Sequence, residues 1–243
     1  MYSRTTVKAI LLAGGKGTRL RPYTATLPKP LMPIGDQTIV EVLLRQLAHH
    51  GVDEAVMCIG HQAALIEAVL GDGARYGLRI SYRREEQPLG TVGPLKTIAN
   101  ELPERFLVMN GDILCDLDFS AFARAAEGSG APLTVAVYER PTKIDLGVLE
   151  LDGSGTVTGF REKPTYTFWV SMGVYGMSRE VLSFIPEGQP FGFDQLMHAL
   201  LAARVPVKTF PFRGHWLDIG RSDDFSDAQD EFEKNRARYL PER

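Results

Sequence analysis

The residues best suited to chemistry lie in the run Leu11-Leu12-Ala13-Gly14-Gly15-Lys16-Gly17-Thr18-Arg19-Leu20-Arg21-Pro22. An apolar stretch ends in glycines, and basic residues follow at 16, 19 and 21. Glycines let backbone N–H groups approach a polyphosphate with no Cβ in the way. The planar guanidinium of Arg19 suits phosphate oxygens. A helix N-terminus just beyond would add a favourable dipole. Two other phosphate loops do not fit. The P-loop needs G-x-x-x-x-G-K-[ST], yet Gly17 is followed by Thr-Arg, and the dinucleotide motif needs a last glycine where Leu20 stands. The bland alternative is a tight strand-to-helix turn with solvated cations.

A lysine follows between prolines, in Leu27-Pro28-Lys29-Pro30-Leu31-Met32-Pro33. The prolines predict a stiff, extended segment. A surface lysine needs no such fixing, whereas one that holds a phosphoryl group does, because positioning is most of the catalysis there. Two aspartates complete the set. Asp112 ends Asn110-Gly111-Asp112 after an apolar run, and Asp218 sits within Trp216-Leu217-Asp218-Ile219-Gly220. A carboxylate in such surroundings must be paired or bind a metal. Asp112 could equally serve as a turn residue bonding the backbone, and Asp218 as the partner of a buried arginine. Mg²⁺ uses few carboxylates plus water and substrate phosphates, which suits two aspartates from distant strands.

These residues need a frame. Apolar periodicity predicts strands over 7–12, 54–59, 78–82 and 106–109, and helices over 38–50, 62–70 and 91–102. That alternation implies a parallel sheet with helices on both faces, an open, doubly wound, Rossmann-like α/β layer. Ligands in such sheets bind outside the carboxyl ends of the strands, which is where Asp112 stands. The second half predicts strands over 133–138, 147–151, 157–160, 170–177 and 207–212. It also predicts helices over 179–184, 194–203 and, strongly polar, 222–239. No linker or repeat interrupts it. We expect a single domain over 1–243, with a nucleotide-binding half about 1–115 and a second-substrate half about 116–243.

Composition narrows the classes. With 44% apolar and 23% charged residues, the 243-residue chain can bury a core without disulfides. A net charge of −3 gives no bulk attraction to nucleic acid or an acidic membrane, so neither is an expected partner. Cys58 and Cys115 lie in apolar runs and read as buried reduced thiols. No apolar run approaches the about 20 residues that cross a bilayer, and the N-terminus lacks a signal-peptide core. A cytoplasmic location is the expectation. The five histidines, His49, His50, His61, His198 and His215, read as surface or packed groups rather than catalysts.

Taken together, the motifs resemble the sugar-1-phosphate nucleotidylyltransferase family. Its signature, a G-G-x-G-T-R-L-x-P loop followed by P-K-P-L-x-P, stands at 14–22 and 28–33. The likeness continues through EQPLGTVGP at 86–94, NGD at 110–112, FREKP at 160–164 and WLDIG at 216–220. The resemblance implies the nucleotide-diphospho-sugar transferase fold and transfer of a nucleoside monophosphate to a sugar 1-phosphate, releasing pyrophosphate. It implies nucleotide contacts from Leu12, Ala13, Gly14, Gly15, Gly17, Thr18, Arg19, Gln87, Pro88, Gly90 and Thr91. Arg19, Lys29 and Asp112 would be the catalytic residues, with Asp112 and Asp218 holding Mg²⁺. Gly147, Glu162, Lys163, Ser171 and Gly173 would meet the sugar phosphate. A homodimer is expected by the same analogy.

The segment Pro88-Leu89-Gly90-Thr91-Val92-Gly93-Pro94 resembles that of mannose-1-phosphate guanylyltransferases. Thymidylyl enzymes carry S-K-Q rather than P-K-P near the lysine. No C-terminal β-helix of the kind many relatives carry is expected. These features tilt the expectation toward GTP with mannose or D-glycero-manno-heptose 1-phosphate. Uridylyl or thymidylyl transfer to another sugar phosphate is the alternative. Two departures favour an unusual sugar: Val170-Ser171-Met172-Gly173 where the family often has Asn-Ala-Gly, and 143–147, which lacks the usual S-x-Y-G. Ser171 offers fewer hydrogen bonds than asparagine. A catalytically silent regulatory subunit is the rival of another class, but it would lack one of Arg19, Lys29, Asp112 or Asp218. A dinucleotide-dependent oxidoreductase would need an acidic residue where the second strand ends at Ile59-Gly60.

Overall fold

The computed structural model describes residues 7–219 and 222–240, apart from the side chains of residues 218, 222 and 223. The first strand, β1 (Val7–Ala13), runs into the glycine loop. A small hairpin, β2 (Pro33–Ile34) and β3 (Gln37–Thr38), leads into α1 (Ile39–His49). Then come β4 (Val52–Ile59), α2 (Ala63–Leu70), β5 (Arg79–Arg84) and a single helical turn, α3 (Pro94–Thr97). β6 (Arg105–Asn110), β7 (Ile113–Cys115) and α4 (Phe119–Gly128) end the first half. The second half holds β8 (Leu133–Lys143), β9 (Val148–Leu151), β10 (Val157–Arg161) and β11 (Thr165–Ser178). It closes with α5 (Phe193–Ala202), β12 (Val207–Phe212), β13 (Trp216–Asp218), α6 (Ser222–Lys234) and α7 (Arg236–Tyr239).

Seven strands form the central sheet in the order β12-β8-β11-β6-β1-β4-β5. β11 is antiparallel to both its neighbours, and every other pair in this sheet is parallel. The chain steps outward from β1 to β4 and β5, then returns to β6 on the opposite side of β1. That reversal is a topological switch point, where open α/β sheets form a crevice at the carboxyl ends of their strands. Gly14 follows one flank of it and Asp112 the other.

β1 shows why the sheet is sandwiched. Ala9, Leu11 and Ala13 join one apolar cluster, with Val40, Leu43, Leu44 and Leu47 of α1, Ile66 of α2 and Phe122 of α4. Ile10 faces the other, with Leu95 of α3 and Leu196 and Leu200 of α5. Strand side chains alternate in direction, so both faces of β1 must be apolar. A third cluster lies beside the sheet. It joins Leu20, Met32, Ile34, Ile39 and Leu114 to Ala228, Phe232 and Tyr239 of the C-terminal helices. The polar C-terminal helix therefore covers core, and it breaks at Asn235 rather than running unbroken over 222–239.

Several expected boundaries move. The helix expected over 91–102 shrinks to Pro94–Thr97 with a 3₁₀ turn at Ala99–Glu101. Val92 and Gly93 N–H donate to Phe191 O at 3.0 and 3.2 Å, which ties the start of this segment to the loop before α5. β8 and β11 outrun the expected 133–138 and 170–177 because each supplies the other's ladder. Lys143 pairs with Thr165 and Pro141 with Thr167, in a polar stretch that alternation alone does not mark as strand.

Candidate active site

A cleft of about 450 Å³ opens at the switch point. Its walls come from the glycine loop (Leu12, Ala13, Gly14, Gly15, Gly17, Thr18, Arg19), from Lys29, and from Asp112 after β6. Pro88, Gly90 and Thr91 line it on the far side. Separate segments of the first half thus meet at one cleft.

The loop departs from expectation in one respect. Thr18–Leu20 form a single 3₁₀ turn, not the start of an α-helix. Arg21 is extended at ψ 143° before Pro22, as pre-proline sterics demand, and the turn stops there. A full helix dipole is therefore absent here, and the loop's N–H groups and cations carry the electrostatics. Gly17 has φ +59°, and a Cβ there would lie 3.0 Å from Thr24 Cγ2 and 3.2 Å from Lys29 Cβ. Its carbonyl accepts from Thr24 Oγ1 at 2.7 Å. Glycine is needed at this position for both conformation and closeness.

Lys29 also sits differently from expectation. Lys29–Leu31 make a 3₁₀ turn, with Leu31 N donating to Pro28 O at 2.8 Å and Met32 N to Lys29 O at 3.0 Å. Only the flanking Pro28 and Met32 are extended. Proline pre-sets its own φ for such a turn, so stiffness comes from the turn rather than from an extended run. The lysine is 9% exposed, and its Nζ is ion-paired with Asp112 Oδ2. The C-terminal helix holds the segment from behind. Gln229 Nε2 donates to Pro33 O at 2.6 Å, Gly35 N donates to Gln229 Oε1 at 3.0 Å, and Phe232 packs where a Gly35 Cβ would project.

The two aspartates come from neighbouring strands. β13 pairs antiparallel with β7, and Asp218 lies opposite Ile113, the residue after Asp112. The Asp218 side chain lies outside the described residues. Among the described residues no group of three or more His, Cys, Asp or Glu side chains could hold a metal.

On the far side, Gly90 has φ +74°, and its Cβ position is 2.8 Å from Phe191 O. Phe191 N donates to Leu89 O at 2.8 Å. A residue from the second half thus clamps the 88–93 segment. Gln87 is exposed and lines a neighbouring hollow with Arg84, Glu86 and Gly188 rather than the cleft itself.

Residues expected to meet the sugar phosphate lie outside the cleft wall. Gly147 and Glu162 are close together on the exposed β9–β10 arm, with Glu162 Oε2 3.3 Å from the Gly147 Cβ position. Lys163 is exposed, with φ +46°. Ser171 Oγ contacts Tyr175 OH at 3.2 Å and accepts from Gly173 N at 3.3 Å across a bulge in β11. Gly173 backs onto the cleft, because a Cβ there would lie 2.6 Å from Asn110 Nδ2.

Leu20, Pro30, Glu85, Pro94 and Asn110 also line the cleft and were not among the expected site residues. Glu85 and Asn110 each sit at the end of a strand, a position that could have flagged them. None of the five histidines lines the cleft. His50 Nδ1 pairs with Asp118 at 3.1 Å and His215 Nδ1 with Glu231 at 3.3 Å, both elsewhere. Cys58 and Cys115 are buried free thiols whose pKa burial pushes up to about 12.

Comparison with known proteins agrees with this frame. Residues 8–235 match the nucleotidyl transferase family. A UTP–glucose-1-phosphate uridylyltransferase of Synechocystis is 33% identical, covering 91% of this chain and 62% of its own length. A mannose-1-phosphate guanylyltransferase of Mycobacterium tuberculosis is 31% identical, covering 90% of this chain and 62% of its own. The chain thus spans under two thirds of the length of these curated relatives. The crystal structure of HddC from Yersinia pseudotuberculosis superposes with a TM-score of 0.75 at 26% identity, covering 93% of this chain and 99% of that one. Sheet order, glycine loop and sequence agree, and the chain belongs to the nucleotidyl transferase family.

Proposed function

We propose that the protein transfers a nucleoside monophosphate from a nucleoside triphosphate to a sugar 1-phosphate, releasing pyrophosphate. The observation that carries this reading is Lys29, a buried ammonium joined to Asp112 on the wall of a glycine-lined cleft that Arg19 also lines. A buried cation needs a negative partner, and Asp112 supplies one until a phosphate arrives.

The residues have divided tasks. Backbone N–H groups of the loop, free of Cβ atoms at Gly14, Gly15 and Gly17, cradle the triphosphate. Arg19 and Lys29 hold the α-phosphate and the departing pyrophosphate. Gly147, Glu162, Lys163, Ser171 and Gly173 receive the sugar phosphate from the second half, Lys163 by its charge. The attacking oxygen already belongs to an anion, so no general base is needed, in keeping with the distant histidines. The protein's work is to gather two mutually repelling anions in line. Asp112 and Asp218 would hold Mg²⁺, which when bound neutralises charge developing on phosphate oxygens.

GTP with mannose or manno-heptose 1-phosphate is our preferred pair, supported by the Pro88–Leu89–Gly90–Thr91 segment and the guanylyltransferase named above. The Synechocystis relative's name supports UTP with glucose 1-phosphate as the second reading. A homodimer belongs to this reading, as does a reducing cytoplasm, in which buried unpaired thiols persist. The test is pyrophosphate release over a grid of nucleoside triphosphates and sugar 1-phosphates, with and without Mg²⁺. Turnover with one pair, lost on chelation and in Asp112→Ala and Asp218→Ala, supports the proposal. No release across the grid would sink it.

A further inference from the structure

Resting on that reading, we infer that Gln229 of α6 is a positioning residue for the transfer: it fixes where the Lys29 ammonium meets the substrate phosphates. Its carboxamide bonds two backbone groups just beyond Lys29. Nε2 donates to Pro33 O at 2.6 Å, and Oε1 accepts from Gly35 N at 3.0 Å. A backbone carbonyl only accepts and an amide N–H only donates, so this pair needs one donor and one acceptor from a single side chain. A carboxamide offers both in one plane, whereas a carboxylate only accepts. Gln229 thus closes the free edge of β2 as a peptide group of a neighbouring strand would.

From Pro33 the constraint passes back to Lys29 along a short, bonded stretch. Met32 N donates to Lys29 O and Ile39 N donates to Met32 O, both at 3.0 Å. Met32 and Ile34 are buried in one apolar cluster with Phe232 and Tyr239. Apolar packing is non-directional and would let α6 slide along that face. The two directional bonds of Gln229 set its register. The same helix is anchored beside the other half of the ion pair. α6 follows β13, whose Asp218 lies opposite Ile113, the neighbour of Asp112. Lys29 and Asp112 meet across the cleft wall, and α6 ties the two segments that carry them.

The Lys29 stem is enclosed. The residue is 9% exposed, and its Cβ lies 3.2 Å from the Gly17 Cβ position. The ammonium therefore follows its backbone rather than swinging to compensate for a shift. Positioning carries most of phosphoryl transfer, and a misplacement of about 1 Å can cost about 10²-fold in rate. An interaction made chiefly in the transition state shows in kcat more than in KM.

The experiment removes the two bonds and keeps the bulk. Gln229→Met should lower kcat about 10- to 100-fold, while KM for the triphosphate moves less than about 3-fold. In a Lys29→Met background the same substitution should lower kcat by less than about 3-fold, because the group it positions is gone. Asp118→Ala uncaps α4 away from the cleft and should keep kcat despite its loss of stability. Gln229→Asn, one methylene short of both partners, takes the place of the methionine variant if that one does not fold, with the same expected pattern. Urea unfolding gives a readout independent of turnover. The coupling between Lys29 and Asp112, read from their double-variant cycle, should fall to about half or less once Gln229→Met is added. Undiminished kcat in the folded Gln229 variant, a full loss repeated without Lys29, or an equal loss in Asp118→Ala overturns the inference. If no pair of triphosphate and sugar phosphate turns over, the parent reading fails. The unfolding cycle then judges Gln229 alone: a halved coupling sustains its hold on Lys29, and an unchanged one overturns it.

Discussion

Replacing Lys29 by methionine removes one charge and keeps most of the aliphatic stem. In the folded protein the Lys29 and Asp112 side chains are ion-paired and 10% and 22% exposed. At an effective dielectric near 20, unit charges 4 Å apart attract by about 4 kcal/mol. Desolvation of both groups offsets much of that, so a net coupling of about 1–3 kcal/mol remains. Lys29→Met strands the Asp112 carboxylate on the cleft wall. Breaking a fully buried pair costs about 3–5 kcal/mol, and the partial exposure of Asp112 brings the expected loss to about 2–3 kcal/mol. Asp112→Asn strands the ammonium instead. The double variant should be more stable than the summed single losses predict, by the coupling energy. Urea unfolding of the four proteins measures this cycle. Turnover supplies a second readout: Lys29→Met should lower kcat/KM about 10²- to 10³-fold, the effect of removing one preorganised charge-stabilising donor. Additivity within about 0.5 kcal/mol would refute the pairing. Undiminished turnover would refute the placing of Lys29 on the phosphates.

Gly17→Ala forces a side chain into left-handed φ and against Thr24 and Lys29, so it should cost about 1–3 kcal/mol and reduce turnover. Gly15→Ala meets open space within 4 Å and should shift unfolding by less than about 0.5 kcal/mol, so urea curves of the pair separate loop strain from mere substitution. Thr38 caps α1, accepting from Glu41 N at 3.4 Å while Glu41 Oε2 accepts from Thr38 N at 2.9 Å. Thr38→Ala should cost about 1 kcal/mol in denaturant with kcat/KM unchanged. Burial alone would raise the Glu41 carboxyl, but bonds from Thr38 and Tyr76 and the Arg75 charge hold it below its ordinary 4.5. A depressed folded pKa stabilises above pH 4.5 and loses that contribution as pH falls through the folded value. Glu41→Gln should therefore flatten the acid limb of the stability curve. With both thiols near pKa 12, Cys58 and Cys115 should resist a thiol reagent in the native state and react on unfolding; fast native labelling would contradict their burial.

The amino-acid order alone determined much of this molecule, where chemistry is local. A loop needing several glycines, a lysine between prolines and a pair of apolar-flanked aspartates carry their meaning in a few adjacent residues. So do the strands β1, β4 and β6, whose sides are buried and whose residues are correspondingly apolar. Tertiary contact decided the rest. The carbonyl of Phe191 accepts from the amides of Val92 and Gly93, a tie between distant segments that the local pattern does not carry, and the helix there spans only Pro94–Thr97. β8 and β11 hold polar stretches in strand form by pairing with each other. The C-terminal helix braces the Lys29 segment from about 200 positions away, through Gln229 on Pro33 and Gly35. Glu85 reads in the sequence as one acid of a doublet. Only the return of the chain beside Ile59 brings it over Gly14, because direction at a strand's end depends on which neighbour takes its last hydrogen bond.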